Sequence, residues 1–138
     1  MNYISAEQFQ EQPKKVQEVL LKWWKPSKGD VFAFLGDDTS REIGVLGDLK
    51  EIQIATKGKG EYRLPLLTEG QLREFIEDKT GNKVDVEHYN IYENKEDILF
   101  RFCIDRKEIK SHMFYNNKSL LQAYWKVACQ IAEEVANE

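Results

Sequence analysis

Residues 98–105 read ILFRFCID. Ile98, Phe100, Phe102 and Ile104 alternate with Leu99, Arg101, Cys103 and Asp105. A period of two sends one side of a strand into a core and the other toward water. Arg106 and Lys107 turn the chain into a further strand from Ile109 to Tyr115, which Asn116 and Asn117 end. Upstream, Val84 and Val86 share one parity while Tyr89 and Ile91 share the other. That change of parity predicts a bulge near Glu87 or His88, and Asn94 to Asp97 supplies the hairpin turn. Connections this short favour antiparallel neighbours.

Helical signals flank these strands. Downstream, Ser119 is an N-cap with Gln122 three residues on. Leu120, Tyr124, Val127, Ile131 and Val135 form one stripe, widened by Leu121, Trp125, Ala128 and Ala132. So broad an apolar face has to be buried on a sheet or another subunit. Upstream, Leu67, Thr68, Gln71 and Leu72 carry a complete capping device for a helix over 69–80. Leu72, Phe75 and Ile76 give its buried stripe, and Gly81 its left-handed stop.

The first thirty residues repeat the device. Ser5 caps a helix with Gln8 as capping-box partner, and Ile4 and Phe9 form the hydrophobic staple. Pro13 ends that helix or restarts it, because proline cannot donate to the preceding turn. A second helix then runs to about Trp24 along Val16, Val19, Leu20, Trp23 and Trp24. Pro26 closes it, and Gly29 and Asp30 make the turn. Between this helix and Pro65 the pattern reads β-rich. Val31–Leu35, Ile43–Leu46 and Ile52–Thr56 are the predicted strands, with Gly36, Asp37 and Asp38 as turn chemistry. Gly58-Lys59-Gly60 is a tight connection into Tyr62 and Leu64. The reading is therefore a single α+β domain over 1–138. It has a mainly antiparallel sheet, helices packed on one face and a long C-terminal helix. Trp23, Phe75, Phe100, Phe102, Tyr124 and Ile131 are its expected core.

Composition narrows the function classes. The chain has 138 residues, 41% of them hydrophobic, 12% aromatic and 32% charged. A length like this predicts one domain with a core of its own. The net charge is −4, which argues against a general basic coat for nucleic acid. Residues 1–64 hold ten basic and ten acidic side chains, and the rest hold ten and fourteen. The acid excess thus lies wholly in the second half. Neither a signal-peptide pattern nor an apolar run of membrane-spanning length is visible. Cys103 and Cys129 stand far apart without a CxxC, so two buried thiols in a reducing cytosol are expected.

Three blocks carry a resemblance: ISAEQFQEQPKKVQEVLLKWWKPSKGD at 4–30, LPLLTEGQLREFIEDKTG at 64–81 and SLLQAYWKVACQIAEE at 119–134. Together they resemble a group of small, functionally uncharacterised proteins encoded by phages and prophages of low-GC Gram-positive bacteria. The resemblance covers about half the chain. It implies a phage-related, cytoplasmic context in a bacterial host, and it implies no catalytic residue.

His88 and His112, with Asp85, Glu87 and Cys103, match no zinc spacing. His112 on its strand could still face Cys103 on the next. Asp85 followed by Glu93-Asn94-Lys95 has the order of residues used by one class of metal-dependent nucleases, but it reads as turn chemistry. Asp30, Asp37, Asp38 and Asp48 read as solvated turns rather than a cation site. Gly58-Lys59-Gly60 lacks the frame and the following helix of a phosphate loop. Ser111 and His112 are adjacent on a strand, so they point to opposite faces. No catalytic, cofactor or metal residue is assigned, and no cofactor is expected. The candidate nucleic-acid or partner face is Lys14, Lys15, Lys22, Lys25 and Lys28, around Trp23 and Trp24. The expected function is an accessory protein acting through protein contacts, with a partner or by self-association, and not at a membrane. The alternative is a nucleic-acid binder or a metal-dependent nuclease.

Overall fold

The computed structural model describes residues 2–35, 42–60, 63–89, 98–106, 109–117 and 119–138. The chain is α+β, and among the described residues the pairings between β-strands are antiparallel. The strands divide into two three-stranded sheets. The chain clusters into two compact units, essentially Tyr3–Leu67 and Thr68–Glu138.

In the N-terminal unit, Ser5 caps α1 (Ala6–Gln10) through a complete capping box with Gln8. Ile4 and Phe9, the staple pair, are fully buried. The Ile4 N–H donates to the Leu67 carbonyl at 2.9 Å, joining the two ends of the unit. Pro13 separates α1 from α2 (Lys14–Trp23), as its missing N–H requires. Proline offers no side-chain cap, and the Gln17 side-chain amide instead donates to the Gln12 carbonyl at 2.7 Å.

The end of α2 corrects one expectation. Trp23 is only half-buried, and the large buried side chain is Trp24, at 1% exposure. Trp24 is the C-cap with extended backbone, so its ring leaves the helical stripe and turns inward. Its indole N–H donates to Asp30 Oδ2 at 3.0 Å, and the Ser27 N–H donates to the same oxygen at 2.9 Å. A buried indole needs such an acceptor.

The sheet of this unit has the order β2-β1-β3, from β1 (Val31–Phe34), β2 (Ile43–Val45) and β3 (Arg63–Pro65). The predicted strand at Ile52–Thr56 is instead the second half of a helix, α3 (Leu49–Lys57). The alternation of Ile52 and Ile54 imitates a strand. The deciding signal lies upstream: Asp48 accepts the Glu51 N–H at 2.8 Å, and Glu51 reaches back to the Gly47 N–H at 2.9 Å. Asp followed three residues later by Glu is a helix start.

Gly58-Lys59-Gly60 leads from α3 into β3. Gly60 has φ +79°, a left-handed conformation that favours glycine, while the 2.9 Å approach of a Cβ to Leu21 Cδ1 would be relieved by the leucine side chain. Lys59 Nζ donates to the Trp24 carbonyl at 2.7 Å. The lysine of this motif thus ties down the end of α2.

In the C-terminal unit, Thr68 caps α4 (Glu69–Thr80) through a full capping box with Gln71, and Gly81 ends it at φ 74°. The predicted range 69–80 is the observed one. A meander follows, β4 (Asp85–Tyr89), β5 (Ile98–Arg106) and β6 (Ile109–Asn117), with β5 central. The predicted bulge is absent: pairing runs without a slip from Asp85↔Cys103 to Tyr89↔Leu99. Val86 and Tyr89 both lie within this regular stretch, so the change of parity between them involves no extra residue.

Ser119 then caps α5 (Leu120–Ala136), which buries Leu121, Tyr124, Trp125, Val127, Ile131 and three alanines. Phe102 meets Tyr124 edge to face, with ring centroids 5.1 Å apart. Phe75, Phe100, Phe102, Tyr124 and Ile131 are all buried, as expected. Arg73 joins α4 to the approach of β4: its Nε pairs with Glu77 at 2.9 Å and its Nη2 donates to the Val84 carbonyl at 3.1 Å. The hydrogen bond from Arg73 Nε holds the Glu77 carboxyl below the usual carboxylate range.

Several sequence readings lie outside the described residues. They are the turn at Gly36-Asp37-Asp38, Tyr62, Ile91, the Glu93-Asn94-Lys95 triplet, the Asn94–Asp97 turn and Lys107.

Candidate functional site

Lys14, Lys15 and Lys22 stand on α2, and Lys25 and Lys28 on the segment that follows it. All five are exposed. Glu18 lies between Lys14 and Lys22 at helical spacing, so this face carries both signs. Base stacking would need an exposed aromatic beside the lysines. Trp24 is buried with its N–H engaged, and Trp23 is half-buried. Lys25 acts locally on Lys59, whose ammonium is pushed below the usual lysine value by burial and then by the Lys25 charge.

The carboxylates, thiols and histidines fall as follows. Asp30 holds the Trp24 indole and the Ser27 N–H, and Asp48 caps α3. Both are engaged in backbone or ring hydrogen bonds, while Asp37 and Asp38 lie outside the described residues. On β4, Asp85, Glu87 and His88 are all exposed, and Glu87 pairs with Arg101 of β5 at 3.4 Å. His112 of β6 does stand opposite Cys103 in the register, and Asp85 stands opposite Cys103 on its other side. Among the described residues, no three of His, Cys, Asp and Glu come together as metal ligands. Of the two cysteines expected to be buried, Cys103 is only half-buried on β5; Cys129 is buried, and burial pushes its thiol up to about 12, which removes it as a nucleophile near neutral pH. Among the described residues, no helix is long and apolar enough to cross a membrane.

The feature that composition could not reveal lies around β2. Phe34, Ile43, Val45, Leu49 and Ile54 are exposed at 37%, 55%, 59%, 70% and 47%. All five belong to β1, β2 and α3 of the N-terminal unit. On one face of the sheet, Phe32, Phe34, Gly44 and Arg63 line an open cavity of about 320 Å³, with Ile54 and Glu51 of α3 also in its lining. The Phe32 and Phe34 rings meet edge to face at 4.8 Å. The Arg63 guanidinium lies 4.4 Å from the Phe34 ring centre and 5.4 Å from that of Phe32. Gly44 makes room for these rings: a Cβ would come within 2.8 Å of Phe32 Cζ and 3.1 Å of Phe34 Cε2.

Main-chain parity fixes the edge of this sheet. The Phe34 N–H donates to the Glu42 carbonyl at 2.8 Å, and the Leu46 N–H donates to the Asp30 carbonyl at 3.0 Å. Phe32 stands opposite Gly44 between those two pairs. The polar groups of Glu42, Gly44 and Leu46 therefore face β1, and those of Ile43 and Val45 face away from it. Among the described residues, no strand lies beyond β2. The sequence reading located the strand but not its exposure, because an apolar pair at an edge and one in a core have the same spacing.

No protein-family model, no curated protein and no solved structure matches this chain.

Proposed function

We propose that this chain is a non-catalytic accessory protein that acts through protein contacts made by its N-terminal unit. The phage-related, cytoplasmic setting of the proposal rests on the three sequence blocks at 4–30, 64–81 and 119–134. The observation that carries the contact reading is the apolar group Phe34, Ile43, Val45, Leu49 and Ile54, exposed around one small sheet and its helix. Scattered exposed apolar residues are ordinary, whereas five drawn from one small sheet and its helix, with no other large ones among the described residues, support an interaction surface. Polar and charged side chains rim it, with Arg63 and Glu51 at the cavity, which is the anatomy of a transient interface.

Affinity capture from a bacterial host lysate tests the reading when the full chain is compared with Leu49→Lys and Ile54→Lys. A discrete protein held by the wild type and lost from both variants is the expected result. A bound set that both variants leave unchanged, or no bound protein at all, overturns it. The same preparations, tested for a salt-dependent shift of nucleic acid, should show none that neutralising Lys14, Lys15, Lys22, Lys25 and Lys28 removes.

A further inference from the structure

We infer that the open edge of β2 pairs with the β2 edge of a second copy of the chain, antiparallel and centred on Gly44. This rests on the contact reading above and names one occupant for one part of that surface.

The hydrogen-bond parity and the three-residue length of β2 together select the register. Ile43 and Val45 are the two residues of β2 whose N–H and C=O groups point away from β1. An antiparallel neighbour must place its own outward-pointing residues opposite them. When Gly44 faces the partner's Gly44, Ile43 falls opposite the partner's Val45, and Val45 opposite the partner's Ile43. Each such pair exchanges two main-chain hydrogen bonds. A two-fold axis at Gly44 therefore satisfies the whole edge at once, as a closed homodimer interface requires.

The side chains agree with that register. Ile43 and Val45 project from the same face of β2, and both are more than half exposed. Self-pairing sets each β-branched side chain against another from the opposite strand, a favourable cross-strand combination. At the axis the strands come closest at a pair that exchanges no hydrogen bonds, and glycine occupies that position. Nothing in Ile43-Gly44-Val45 guards the edge: it holds no lysine, proline or other charge. Charge does not oppose the approach either. Residues 1–64 are balanced at ten basic against ten acidic side chains, and Pro65, Leu66 and Leu67 add none. An unrelated extended peptide would satisfy the main chain, but nothing about this edge selects one.

The test uses the full chain and its oligomeric state by light scattering and sedimentation across a concentration series. Wild type is expected to dimerise. Ile43→Lys and Val45→Glu should each raise the dimer dissociation constant by roughly tenfold or more, the scale of a lost interface anchor. Both positions are exposed, and circular dichroism establishes that each variant is folded. The double variant I43K/V45E should regain the dimer, because the introduced lysine of each copy lies opposite the introduced glutamate of the other. A wild type that stays monomeric throughout the series overturns the inference. So does a dimer that ignores the single variants, and so does a double variant no better than the singles. A monomer that still captures a host protein through Leu49 and Ile54 overturns self-pairing alone. A dimer with an empty capture overturns the host-partner reading alone.

Discussion

Strands β1 and β5 each lie at the centre of a three-stranded antiparallel sheet, yet their neighbours treat them differently. In the C-terminal unit, Phe100, Phe102 and Ile104 of β5 are buried, and α5 contributes a broad stripe of buried side chains, Tyr124 meeting Phe102 edge to face. In the N-terminal unit, α3 buries only Ala55, and it leaves Leu49 and Ile54 exposed, Ile54 beside the rings of β1. The large exposed apolar side chains among the described residues all belong to this unit. Charge divides the same way. The N-terminal unit is balanced, while the C-terminal unit carries the excess of acid. Net charge favours solubility, and open apolar surface favours association. The two properties are assigned to separate parts of one short chain.

Four substitutions break or sharpen this contrast. Phe102→Ala removes a fully buried ring from the C-terminal unit and should cost about 3–5 kcal/mol in a chemical melt. A small loss would mean that α5 does not seal this sheet. Gly44→Ala acts on the N-terminal unit, where the added methyl meets the Phe32 and Phe34 rings. Overpacking of this kind costs about 1–3 kcal/mol, and an unchanged melting curve would show that the rings move aside freely. Thr68→Ala removes the acceptor of the Gln71 N–H and should cost ~1 kcal/mol. Restoration by Ser, but not by Val, separates the cap from simple packing. Ile54→Ser should shift stability by less than about 0.5 kcal/mol, as expected of an exposed position away from cores and caps. A larger loss would show that Ile54 belongs to a core rather than to an open surface.

What could be read from sequence follows the strength of local chemistry. Ser5 with Gln8, Thr68 with Gln71, and Ser119 fixed three helix starts, because a side-chain oxygen and a backbone N–H a few residues away need no tertiary context. The strict alternation from Ile98 to Asp105 fixed β5. Asp48 and Glu51 carried the same kind of signal for α3, but the apolar alternation of Ile52 and Ile54 outweighed it. By spacing Trp24 falls within a helical stripe, whereas its burial depends on Asp30 accepting its N–H from beyond the helix. The lysine face was visible as composition. The buried Trp24 beside it was not, nor was the exposure of β2, because both depend on which elements pack nearby.

The bond from the Ile4 N–H to the Leu67 carbonyl has a consequence for the order of events in synthesis. A chain made from its N-terminus displays α1 and α2 early, but this anchor for Ile4 does not exist until residue 67 has been added. The central strand β1 waits in the same way for β3, whose partners are set by Phe32↔Pro65 and Ala33↔Leu64. The meander of the C-terminal unit joins strands adjacent in the chain, and local pairings of that kind close faster than distant ones. The half of the protein that emerges first is thus the half whose sheet must wait longest for its last strand, with its apolar β1 segment unpaired on that side meanwhile.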